Sequence, residues 1–288
     1  MKSLDSPLRV SIGEPASTIF SSKYTQLSSI PSLSQGAKTF RATFDRVFDG
    51  LIKLSLPSDE GDPQLQAVVN EKGLSVGGKY NPAVEQVEAK IYESGDYSVR
   101  ENKKTFTDIS AKVLEMQNAI TVLATKGIIS GTTETEFSPD ASISRAEIAA
   151  LLTRTLSKLN PNQDGNFTDV LKSDWYFGAI GSAKKHGLMA GTSATVFSPK
   201  IVIPKDQIVS VAARVLRLEM KYKDPTDDTS LMAFSDAASL ADWSRTDISL
   251  ATRENLFVLR WDGTFSPNQP MTRGDAAIVL YRLFMKLW

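Results

Sequence analysis

Two tripeptides recur three times along this chain, always in the same order. Phe106-Thr107-Asp108 returns as Phe167-Thr168-Asp169 and as Phe234-Ser235-Asp236, while Phe137-Ser138-Pro139 returns as Phe197-Ser198-Pro199 and as Phe265-Ser266-Pro267. Self-similarity at a period of roughly 60 to 70 residues means that one supersecondary unit has been copied, and that constrains the fold more than composition can.

Each copy reads as helix, loop, helix. In the first, Val113, Met116, Ile120, Leu123 and Ala124 fall at helical spacing, and Gly127 stands where that helix should stop. Gly187 ends the matching stretch of the second copy. The second helix opens at Ser144-Arg145-Ala146-Glu147 and, in copy three, at Thr272-Arg273-Gly274-Asp275. Both have the form of a capping box, in which a hydroxyl and a carboxylate three residues on satisfy each other's backbone N–H. Ile148, Leu151, Leu152 and Leu156 then mark a buried stripe. Copy two has Pro204-Lys205-Asp206-Gln207 instead, so its helix must start without a capping hydroxyl, helped by proline's fixed φ.

Upstream of Phe106 the pattern changes. Runs such as Leu51–Leu56, Leu65–Val69 and Val87–Tyr92 are short and partly alternating, and Gly, Pro, Asn and Asp clusters separate them, as in β-strands. Gly77-Gly78-Lys79-Tyr80-Asn81-Pro82 reads as a turn and falls short of a phosphate-binding loop. The polar run 100–104 marks the expected boundary. The expected organisation is a linker or edge segment at 1–37, a small β-sandwich-like module at 38–104, and repeats at 105–160, 161–225 and 226–288.

Composition closes off several kinds of chemistry. With 33 basic and 33 acidic residues in balance, the electrostatic footprint of a nucleic-acid or anionic-membrane binder is missing. There is no cysteine, which removes disulfides, thiolate metal sites and cysteine nucleophiles. The single histidine, His186, excludes multi-histidine zinc sites and reads as a cation at a helix C-terminus. No stretch approaches the roughly 20 apolar residues of a membrane span. No cofactor and no metal are expected, and the opening residues lack the apolar core of a secretory signal, so the chain is expected to continue a larger upstream protein.

The opening Phe-x-Asp, an early tryptophan in helix one, a glycine-containing turn, Phe-Ser-Pro and a Thr/Ser-Arg-Ala-Glu-like helix start together resemble the S-layer homology family over about residues 106–288. The resemblance implies an α+β multidomain protein in which the N-terminal β-sandwich-like module precedes a mainly α-helical pseudo-threefold bundle of three such repeats. It implies grooves between neighbouring repeats that bind the secondary cell-wall polysaccharide of Gram-positive bacteria, commonly pyruvylated. The implied role is non-covalent anchoring of a secreted protein at the cell surface or S-layer, without enzymatic activity of its own. The purified chain is expected to be a monomer.

Candidate ligand contacts follow by alignment to that pattern. Arg145, Lys205 and Arg273 occupy one aligned position in the first turn of helix two, where a cation and unpaired backbone N–H groups would suit a carboxylate. Trp175 and Trp243 offer flat apolar faces to a sugar ring, or else belong to the core. Asp108, Asp169 and Asp236 either accept from sugar hydroxyls or only fix turns. Gly131 and Gly191 complete the set. The copies depart from the pattern at Glu115, which replaces the tryptophan, and at Asn255 and Leu259, which replace glycines. Two other functions stay open: part of a polysaccharide-active enzyme with paired carboxylates, and a self-assembling surface-layer protein. Arg273→Ala is expected to weaken wall binding while sparing the fold.

Overall fold

The computed structural model describes residues 9–12, 39–42, 52–91, 94–259 and 261–287. Most of the segment 1–37, together with Leu51 and Tyr92 at the ends of two expected strands, lies outside the described residues. The chain is α+β, with two small antiparallel sheets followed by helices, and it divides into two compact units. One comprises residues 1–105 and 121–130; the other comprises 106–120 and 131–288.

The first unit holds β1 (Arg9–Ile12), β2 (Thr39–Ala42), β3 (Ile52–Pro57), β4 (Gln66–Asn70), β5 (Lys79–Asn81), β6 (Gln86–Ile91) and β7 (Gly95–Glu101). They form one sheet in the order β1-β3-β6-β5 and a second in the order β2-β7-β4. Alternation places Leu54 and Leu56 of β3 with Val87, Ala89 and Ile91 of β6, and these meet Phe40, Val68, Tyr97 and Val99 of the other sheet in one apolar cluster. The expected turn at 77–82 is only half a turn. Gly77 and Gly78, at φ +99° and +124°, make the bend, and Lys79–Asn81 continue as β5. Residues 121–130 bring a lysine into this unit. Lys126 is 3% exposed and its Nζ donates to the carbonyl of Gln66. Burial pulls its pKa down to about 8, against the opposing pull of Asp62.

The repeats make up the second unit, except that residues 121–130, with the last turns of the first helix, belong to the first unit. Their helices are α1 (Leu114–Thr125) and α2 (Arg145–Thr155), α3 (Phe177–Lys185) and α4 (Lys205–Met220), and α5 (Asp242–Arg253) and α6 (Arg273–Lys286). Val113, expected at helical spacing within this helix, precedes α1 and is 64% exposed. The helix ends follow local chemistry: Gly127 and Gly187 take φ +70° and +67° after α1 and α3, and Asn255, another residue tolerant of that region, takes φ +53° after α5. The capping box forms in full at α2, where Ser144 and Glu147 exchange both bonds. At α6 the Thr272 hydroxyl accepts from Asp275 N, and only this half of the box forms because aspartate is one methylene shorter than glutamate. Pro204 caps α4 with no side-chain bond.

Backbone bonds link the three repeats in a ring. Ile143 N donates to Met271 O, Met271 N to Ile203 O, and Ile203 N to Ile143 O, at 3.1, 3.3 and 3.1 Å. Around them, each helix start donates to the Phe-Ser-Pro turn of the next repeat. Arg145 and Ala146 reach Ile201 and Pro199, Lys205 and Asp206 reach Gln269 and Pro267, and Arg273 and Gly274 reach Ala141 and Pro139.

Candidate functional site

The Phe-Ser-Pro turns are the scaffold on which each candidate site is built. Phe137, Phe197 and Phe265 are at most 2% exposed and sit 5.3–5.6 Å, ring to ring, from Phe106, Phe167 and Phe234. The serine that follows is held at φ +58°, +60° and +56°, a backbone region that non-glycine residues seldom enter. What holds it is the aspartate of Phe-x-Asp. In the first copy Asp108 accepts from Phe137 N at 2.9 Å and from Ser138 N at 2.6 Å. Asp169 and Asp236 do the same for 197–198 and 265–266 at 2.7–2.9 Å. Both oxygens of each carboxylate therefore act as a latch on a strained turn, the turn-fixing role that the sequence left open.

The helix starts do not present unpaired N–H groups. Those of Arg145 and Ala146 are taken by the neighbouring turn, and that of Glu147 is capped by Ser144. Sequence reasoning placed these donors at a ligand because the acceptors lie in another repeat, some 50 residues away.

The three aligned cations occupy different surroundings. Arg145 is 8% exposed; its Nε donates to Phe197 O at 3.0 Å, Nη2 to Ala190 O at 2.7 Å and Nη1 to Gln207 Oε1 at 3.3 Å. The guanidinium also covers the Phe197 ring at 4.8 Å. Burial lowers its pKa, and the charge of Asp169 opposes that shift. Arg273 repeats the arrangement with Nε to Phe137 O at 3.0 Å and its ring contact to Phe137 at 4.7 Å, and its Nη1 pairs with Glu147 Oε1 at 2.7 Å. The side chain of Arg273 is 11% exposed and its guanidinium ties repeat three to repeat one, which argues against the expectation that Arg273→Ala spares the fold. Lys205 places a single ammonium 4.6 Å over Phe265 and 5.3 Å over Phe257.

Gly131 and Gly191 are close-approach residues. A Cβ at either would lie 2.4–2.5 Å from two backbone carbonyl oxygens of the same loop and 2.6 Å from the ring of Phe106 or Phe167. Trp175 and Trp243 are 63% and 58% exposed, on the surface rather than in the core.

Two concavities are formed by the described residues of the second unit. One, of about 410 Å³, is lined within repeat two by Asp169, Leu171, Asp174, Tyr176 and Ile201 among others. The other, of about 480 Å³, lies between repeats two and three and is lined by Lys205, Phe257, Leu259, Trp261, Met271 and Asp275 among others. Trp261 is 96% exposed and escaped the sequence reading. Its signal was its alignment with Thr133 and Ser193, small hydroxyl residues in the same loop. Among the described residues no helix is long and apolar enough to cross a membrane.

Comparison with known proteins gives the same threefold division. A family model described as the S-layer homology domain matches residues 105–149, 166–200 and 233–277. An amylopullulanase of Thermoanaerobacterium thermosulfurigenes is 30% identical over 211 residues, which are 73% of this chain and 11% of that protein. Exoglucanase XynX of Acetivibrio thermocellus is 30% identical over 182 residues, 63% of this chain and 16% of its own length. The surface-layer 125 kDa protein of Lysinibacillus sphaericus is 29% identical over 169 residues, 58% and 14% respectively. The chain thus spans less than a fifth of each of these relatives. Three ordered motif copies, their ring of shared bonds and these matches lead to one conclusion: residues 105–277 are three repeats of the S-layer homology domain family.

Proposed function

We propose that this chain is a cell-wall anchor whose three repeats form a pseudo-threefold bundle that binds secondary cell-wall polysaccharide, commonly pyruvylated, in grooves between neighbouring repeats. The observation that carries the reading is the ring of junctions, each bringing one cation of helix two against the aromatic turn of the next repeat. Sequence relatives with unrelated printed activities, two glycosidases and a surface-layer protein, share little with this chain beyond the length of such a module, which suits an anchor carried by different cargo. The chain's location is then the cell surface, and catalysis, where there is any, belongs to what it anchors.

Within the grooves, Lys205 and the exposed Trp175 and Trp243 offer the cation and the flat faces that an acidic polysaccharide needs. Arg145 and Arg273 reach the groove walls as ties between repeats, and Asp108, Asp169, Asp236, Gly131 and Gly191 hold the loops that shape them.

Sedimentation of the purified chain with Gram-positive sacculi tests the reading. The chain should pellet with intact walls and stay in the supernatant once hydrofluoric acid has stripped the attached polysaccharide. Equal pelleting with both, or with neither, would overturn it.

A further inference from the structure

Helix α1 changes company along its length. Its residues 114–120 belong to the second unit and 121–125 to the first, and residues 126–130 continue in the first. Within the first unit this segment is held at three places. Asn102 Nδ2 donates to Thr125 O at 2.9 Å, Lys126 Nζ donates to Gln66 O, and Gly127 lies so close to Ser75 that a Cβ there would stand 3.2 Å from the serine Cβ. At the positions aligned with Lys126 the other repeats carry His186 and Glu254, both only partly buried, with Glu254 paired to Lys286 at 2.9 Å. A repeat by itself therefore leaves this helix end partly in water, and it is the packing of the first unit that takes Lys126 to 3% exposure.

Burying an ammonium is costly unless an anion or a full set of acceptors meets it. Lys126 has three donors, and among the described residues its Nζ finds one acceptor, the carbonyl of Gln66. Its neighbour in the chain, Thr125, has a buried hydroxyl with no partner among the described residues. The charges around the lysine stand on the rim. Its own helix carries none after Glu115. The segment ahead of β4 carries Asp59, Glu60 and Asp62, and the turn between β4 and Ser75 carries Glu71 and Lys72. Arg100 and Glu101 end β7, and Lys103 and Lys104 follow Asn102. All of these but Asp59 are exposed, and among the described residues none forms an ion pair with Lys126. Asp62 favours the charged form from a distance, and burial outweighs it.

We propose that segment 121–130 is a pH-graded clasp of the first unit: buried Lys126 holds it loosely while charged and firmly once neutral, so that alkaline surroundings tighten the grip of the β-strands on the end of α1. A lysine whose folded pKa of about 8 lies below its unfolded value of about 10.4 binds less proton when folded. The stability of the first unit accordingly rises with pH between those two values and gains nothing from this group below them. The clasp is a property of the first unit and stands whatever the repeats bind.

The test uses the full chain with labelled valine methyl groups, unfolded in urea and followed by NMR through Val68 and Val99, which lie in the core of the first unit. From about pH 7.5 to about pH 9.5 the unfolding constant of the parent should fall about twentyfold more than that of Lys126→Met, whose side chain is of similar length and carries no charge. Equal pH dependence in the two chains overturns the clasp. The Cε carbon signal of Lys126 in the parent gives a second reading that needs no variant to fold. A titration midpoint at about 8 supports the clasp, and one at about 10.4, the ordinary value for lysine, overturns it.

Discussion

The Arg145 and Lys205 junctions share the same pattern of backbone bonds but set different side chains into it. At Arg145 every nitrogen of the guanidinium meets protein, the ring beneath it is buried, and the glycine loop opposite packs too closely to admit a Cβ. At Lys205 a point charge replaces the fork, a leucine replaces the glycine, and a cavity with an exposed tryptophan remains. A single position in a repeat can therefore be a strut in one copy and line a cavity in another. The backbone bonds of the ring carry the architecture in both cases, which frees the side chain to diverge.

The sharpest way to break this comparison is to remove both cations in turn. Arg145→Ala leaves two carbonyls and an amide oxygen without their donor in a buried place, and it should cost about 3 kcal/mol. Lys205→Ala should cost under about 1 kcal/mol, because a half-buried ammonium over a ring contributes little to folding. Urea unfolding midpoints compare the two, and equal losses would mean that the junctions are energetically alike. The loops give the next contrast. Gly191→Ala forces a Cβ to within 2.4 Å of Ser193 O and should destabilise by about 2 kcal/mol, whereas Leu259→Gly in the third repeat should change stability by less than about 1 kcal/mol. Thermal melting of both variants decides it.

The smallest effect concerns the helix start beside the lysine. Burial raises the pKa of Asp206 above its ordinary value, against backbone hydrogen bonds that favour the anion. A carboxyl whose folded pKa exceeds its unfolded pKa of about 3.9 binds more protons when folded, so its contribution is present below that pH and is lost as pH rises through the folded value. Asp206→Asn should accordingly raise the melting temperature by a few degrees at neutral pH and by less at about pH 4. A melting temperature that falls at neutral pH would show that the anion's hydrogen bond from Gln207 N, at 2.7 Å, outweighs its burial.

Local chemistry was legible in the linear chain because its causes lie within a few residues. The helical spacing of Ile148, Leu152 and Leu156, the box of Ser144 and Glu147, and the stops at Gly127 and Gly187 all act over one or two turns. The β pattern upstream was legible for the same reason, since alternation such as that of Leu54 and Leu56 needs only the pleat. Triplication then gave the family resemblance, because a motif in three ordered copies is hard to produce by chance.

Tertiary structure decided what those motifs are for. The acceptors of Arg145 lie 45 to 62 residues downstream, and those of Arg273 lie 126 and 136 residues upstream, so no window of sequence contains both partners. The aspartates were visible as turn formers, but not that all three clamp a serine at positive φ about 29 residues on. Exposure was equally hidden. An indole at position 261 has the same hydropathy whether it fills a core or stands in water, and only the packing of the chain around it separates the two cases.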